Sequence, residues 1–104
     1  MYAYVYVLVH VYVLVHVHVG NCVLNPEVPA YGDLHPRFGW PGGFNDVPEL
    51  VEFIRALLRV GYLNEENQEK PWVGFEIKPQ APGETGELVL AGAKRVWRQA
   101  WWQV

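Results

Sequence analysis

Three features of this 104-residue chain predict an α/β fold with parallel strands. Valine occupies every odd position from Val5 to Val19, a capped amphipathic helix begins at Asp46, and a strand-like run, PWVGFEIKP, is followed by a second helix. The resulting order of strand, loop, helix, strand, helix reads as βα units whose strands pair in parallel. The length allows one small domain, spanning 1–104, with a modest core.

The first element is expected to be a long strand over 1–19. Its even positions hold Tyr, Leu or His, so the period is two and the residues are β-branched or aromatic, which favours strand over helix. The hexapeptide YVLVHV stands at 6–11 and again at 12–17, making residues 2–17 low in complexity. Residues 2–19 contain no Lys, Arg, Asp or Glu. A transmembrane helix needs about 20 apolar residues, and this run carries His10, His16 and His18, so no membrane span is expected. A secretory leader would have a basic start, which is missing here. A strand of 18 residues would reach about 60 Å, far beyond ordinary strand length. Uncharged, Pro-free and β-branched, such a segment is suited to pairing with another chain.

Residues 20–45 form a loop rich in Gly and Pro that contains the polar cluster GDLHPRFG. Loops of that length without regular structure are usually functional or disordered, and the cluster favours function. A helix is expected over 46–61. Asp46 and Glu49 form a capping-box pattern, Pro48 is tolerated in a first turn, and Leu50, Val51, Ile54, Leu57 and Leu58 make an apolar stripe ending at Gly61. The second strand covers 71–79. The last helix covers 85–102, with Leu88, Ala91, Val96, Ala100 and Trp101 on its inner side.

Alternation assigns the strand faces. Val13, Val15, Val17 and Val19 share one side of the first strand, as do Val73, Phe75 and Ile77 on the second. If these sides pack under the helices, the opposite sides bring together His16, His18, Glu76 and Lys78 near the C-terminal ends of both strands. Parallel α/β folds place ligands at that edge. An imidazole and a carboxylate on neighbouring strands are reasonable ligands for divalent Mn, Co, Zn or Mg. The histidines are equally readable as letters of the repeat, which also supplies His10. An inward Glu76 would be costly without a partner, and its plain structural role would be an ion pair with Lys78 or Arg37.

The segments HVGN, YGDLHPRFGWPGG, LLRVGY, FEIKP and PGET, in this order from His16 onward, resemble the C-terminal part of the xylose isomerase-like TIM-barrel sugar phosphate isomerases and epimerases. The resemblance implies a partial barrel, its last two βα units. In that family two Glu, an Asp and a His hold a divalent metal that assists proton transfer between adjacent sugar carbons. Carried over by position, His18 and Glu76 correspond to metal ligands. Glu76 would also be the catalytic carboxylate, and His35, Arg37 and Lys78 would contact substrate. The chain departs from the family in size, since a full barrel needs about 250 residues, and the strands bearing the remaining Glu and Asp ligands are not here. The implied function is therefore the remnant of a metal-dependent sugar or sugar phosphate isomerase, inactive or nearly so alone.

The alternative expectation is a non-enzymatic, self-associating α/β module held together by strand pairing between copies. Either way the expected partner is the chain itself, through open strand edges and bare apolar helix faces, with a sugar as a second candidate. A net charge of −3 and no basic stripe argue against nucleic acid. One cysteine, Cys22, fits a reducing, cytoplasmic setting.

Overall fold

The computed structural model describes residues 16–64 and 71–104. Within them run strand β1 (His16–Gly20), helix α1 (Val47–Arg59), strand β2 (Trp72–Glu76) and helix α2 (Gly86–Gln103). The expected α/β order is present, and the two strands form a parallel sheet. Most of the strand expected over 1–19 lies outside the described residues; its last part is β1. The second strand is shorter than the 71–79 expected.

The register pairs His16 with Trp72, Val17 with Val73, His18 with Gly74, Val19 with Phe75 and Gly20 with Glu76. Because side chains alternate across a strand, this register puts Val17, Val19, Val73 and Phe75 on the helix side. His16, His18, Trp72 and Glu76 are left on the open side, as alternation predicts. Two glycines let the strands lie this close. A Cβ on Gly20 would stand 2.8 Å from the Glu76 carbonyl oxygen, and one on Gly74 would stand 3.2 Å from Cδ2 of His18.

Helix α1 starts where its sequence says it should. The Asp46 carboxylate accepts from the Val47 N–H at 2.8 Å, while the Asp46 N–H donates to Oε1 of Glu49 at 2.8 Å. At the other end Gly61 takes a left-handed φ of 83°, and the Tyr62 N–H returns to the Leu57 carbonyl at 2.9 Å, closing the last turn. The buried face is Leu50, Val51, Phe53, Ile54, Ala56 and Leu57.

Helix α2 is capped by Thr85, whose hydroxyl accepts from the Leu88 N–H at 3.2 Å. Its inner side includes Val96 and Ala100 as expected but differs at the other three positions. Val89, Ala93 and Ala100 are buried, with Val96 and Trp97 packed beside them, whereas Leu88, Ala91 and Trp101 face outward. The reason is steric: α2 packs against α1, and small residues at 93 and 100 let the two helices approach where a leucine or tryptophan would hold them apart.

The loop from 21 to 45 is ordered around buried Asn21, only 3% exposed. Its side-chain oxygen accepts from the N–H groups of Cys22 and Asn45, and its amide nitrogen donates to the Arg37 carbonyl. Asn45 in turn donates to the Gly20 carbonyl at 2.6 Å. Phe38 leaves the loop to enter the core. There Phe38, Phe75 and Trp97 stack edge to face, with ring centres 6.0 Å apart at each step.

Candidate functional site

At the C-terminal edge of the sheet, adjacent strands carry His18 and Glu76 side by side. Nδ1 of His18 lies 3.9 Å from Oε2 of Glu76. From the loop, Nε2 of His35 lies 3.8 Å from Oε1 of the same carboxylate and 2.8 Å from Oδ1 of Asp33. Two imidazoles thus flank one carboxylate, and a second carboxylate backs one of them.

The backbone places each of these groups. His35 sits in the left-handed region at φ 53°, a conformation that costs a non-glycine residue about 1–2 kcal/mol. It is held there because its carbonyl accepts from the Lys78 N–H at 2.6 Å, just beyond β2. Gln80 pins the same loop by donating to the Leu34 carbonyl at 2.6 Å. The imidazole of His18 lies across the strand over Gly74, and His16 meets it edge-on with ring centres 4.4 Å apart.

Two expectations need correction. Glu76 does not face inward as a buried carboxylate; its side chain is 53% exposed, because one face of the two-stranded sheet is bare to water. Nor does it pair with Lys78 or Arg37. The Lys78 ammonium has no ion-pair partner among the described residues. Arg37 turns away: its Nε donates to Oε2 of Glu84 at 3.2 Å, and its guanidinium lies 5.5 Å from the centre of the Trp40 ring. The structure therefore brings together His18, His35 and Glu76 and leaves Arg37 elsewhere.

Reading the residues singly missed three contributors. Asp33 orients His35, and its signal was its place two residues earlier in GDLHP. Asn21 organises the loop and stands in HVGN. Glu84, in PGET, accepts from the N–H groups of Gln80 and Ala81 at 2.8 and 3.0 Å. Those two hydrogen bonds, helped by Arg37, hold its carboxyl below the usual range despite the opposing effect of burial.

The arrangement can support little chemistry without additions. Among the described residues no group of three or more His, Cys, Asp and Glu is disposed to hold a metal ion. His18 and Glu76 supply two ligand atoms, and two atoms bound to one tetrahedral ion sit about 3.3 Å apart at bond lengths near 2.0–2.1 Å. A spacing of 3.9 Å is closed by small side-chain rotations, but a four-coordinate site would still lack half its ligands. The opening beside His18, lined by Phe44, Asn45, Glu49 and Phe53, measures about 100 Å³. Pockets for small molecules run to roughly 300–1,000 Å³, so this one suits a few waters and not a sugar.

No described helix is long and apolar enough to cross a membrane. No protein family, curated protein or solved structure matches the chain.

Proposed function

We propose that this chain is the remnant of a divalent-metal-dependent sugar or sugar phosphate isomerase/epimerase, without efficient catalysis of its own, retaining weak divalent cation binding at His18 and Glu76. The observation that carries this reading is the meeting of His18, Glu76 and His35 at the C-terminal edge of a parallel sheet. Proton transfer between sugar carbons needs a positioned acid or base on each side of the substrate and a cavity that holds it. One carboxylate between two imidazoles, on the open face of a two-stranded sheet, provides neither.

The bare geometry of the sheet favours a second reading, a self-associating module. A two-stranded sheet leaves one edge of each strand unpaired among the described residues, and unpaired edges template further strands. Trp72 and Trp102 are also largely open to water. The two readings meet if strand pairing between copies supplies the missing ligands and completes a barrel-like site.

Light scattering on a size-exclusion column, with melting curves, tests both. Runs in EDTA are compared with runs in Mn²⁺ or Zn²⁺. Under the first reading metal raises the melting temperature, and His18→Ala removes the rise. A melting temperature indifferent to metal rejects it. Under the second reading the chain runs as a defined oligomer that Val9→Lys with Val11→Lys disperses, two positions outside the described residues. A monomer at all concentrations rejects it.

A further inference from the structure

A second concavity, sharing no residue with the cluster around Glu76, runs between the loop that carries Arg37 and the N-terminal half of α2. It measures about 400 Å³, within the range of small-molecule sites. Phe38, Leu88 and Gly92 supply apolar lining, and Arg37, Glu84 and Arg95 the charge. We infer that this groove binds a small monoanion with an apolar body, an alkyl or aryl carboxylate.

The charge balance selects the anion. Glu84 is already engaged, accepting two backbone N–H groups through Oε1 and Arg37 through Oε2. That ion pair and the Trp40 ring fix the Arg37 guanidinium in place, leaving it part of its donor fork. Arg95 has no ion-pair partner among the described residues, and its Nη2 lies 3.7 Å from where a Cβ on Gly92 would be. One cation in the groove is thus left uncompensated, which suits one negative charge. A guanidinium binds a planar carboxylate through two parallel hydrogen bonds.

The apolar part of the ligand follows from Leu88 and Gly92. Leu88 is 63% exposed, although it borders the groove beside Phe38 and Val96. Gly92 sits in the interior of an 18-residue helix, where glycine is the poorest choice after proline. No described packing demands it, since an added Cβ would meet only the flexible end of Arg95. Its lack of a side chain leaves room in the groove beside the Arg95 guanidinium, whose Nη2 lies 3.7 Å from the Cβ position.

Isothermal titration of the full chain with octanoate tests the assignment. Saturable one-to-one binding is expected, with octanol binding at least tenfold more weakly. Arg95→Gln should weaken octanoate at least tenfold. Gly92→Leu should abolish it while leaving the melting temperature unchanged or raised, because the substitution fills the groove and improves the helix. Should Gly92→Leu fail to fold, the surface variant Arg95→Gln decides alone. Absence of saturable binding at millimolar octanoate overturns the inference. So does octanol binding as well as octanoate, or full binding by the Arg95 variant.

Discussion

Replacing Gly20 by alanine sets two opposed effects against each other at the edge of the sheet that carries the site. Gly20 has an ordinary backbone conformation, so alanine would stiffen the unfolded chain and on that count stabilise the fold by about 0.4–1 kcal/mol. Against this, the new methyl would stand 2.8 Å from the Glu76 carbonyl oxygen and 3.5 Å from Nδ1 of His35. Carbon in ordinary contact keeps about 3.5 Å or more, and the carbonyl belongs to the partner strand, so it cannot turn aside as a side chain would. Strand separation of a few tenths of an ångström is the available relief, and overpacking of this kind costs about 1–3 kcal/mol. The net expectation is a loss of about 1–2 kcal/mol, measured by urea unfolding followed through tryptophan fluorescence. Gly74→Ala is the control. Its methyl meets no backbone, only the imidazoles of His18 (Cδ2 at 3.2 Å) and His16 (Nε2 at 3.7 Å), and the half-exposed His18 ring can give way, so its cost should be smaller. Gly20→Ala as stable as the parent, or more so, would refute the close approach of the two strands.

Three further outcomes are expected. Glu84→Gln should flatten the acid limb of the stability curve: the native carboxyl titrates below its unfolded value, so its contribution is full above the unfolded pKa and fades as pH falls through the native one. Melting curves from neutral pH down to pH 3 would show whether the parent loses more stability on acidification than the variant. Asn21→Ala leaves the N–H groups of Cys22 and Asn45 and the Arg37 carbonyl without their partner, and denaturant titration should register a loss of about 2–3 kcal/mol or more. Ile54→Val, at a fully buried position in the core, should cost about 0.5–1.5 kcal/mol in the same titration, and a silent substitution would place Ile54 outside the core.

Chain order, strand faces and helix starts were legible because they rest on local rules. Alternation alone put Val17, Val19, Val73 and Phe75 on one side and His18 with Glu76 on the other. Asp46 and Glu49 announced α1 through atoms only three residues apart. The inward side of α2 was legible only in part. Two apolar stripes run along it; Ala100 lies on the buried one as expected, but the choice of Val89 and Ala93 over Leu88 and Trp101 depended on the packing neighbour.

The site divides along the same line. His18 and Glu76 were visible as a pair because the strands pair in parallel, in a register that sets His18 beside Gly74 and Glu76 beside Gly20. Whether Glu76 is buried, and which cation neighbours it, depended on how many strands cover the sheet and on where the loop lands. Asn21 and the Lys78 N–H bring His35 to the carboxylate, while Glu84 and Trp40 draw Arg37 away. Those contacts join residues as far apart in sequence as Arg37 and Glu84. By itself the sequence determined periodicity, capping and the chemistry available at each position. Tertiary structure decided exposure and partnership, because both depend on which distant surfaces meet, and no local pattern encodes that.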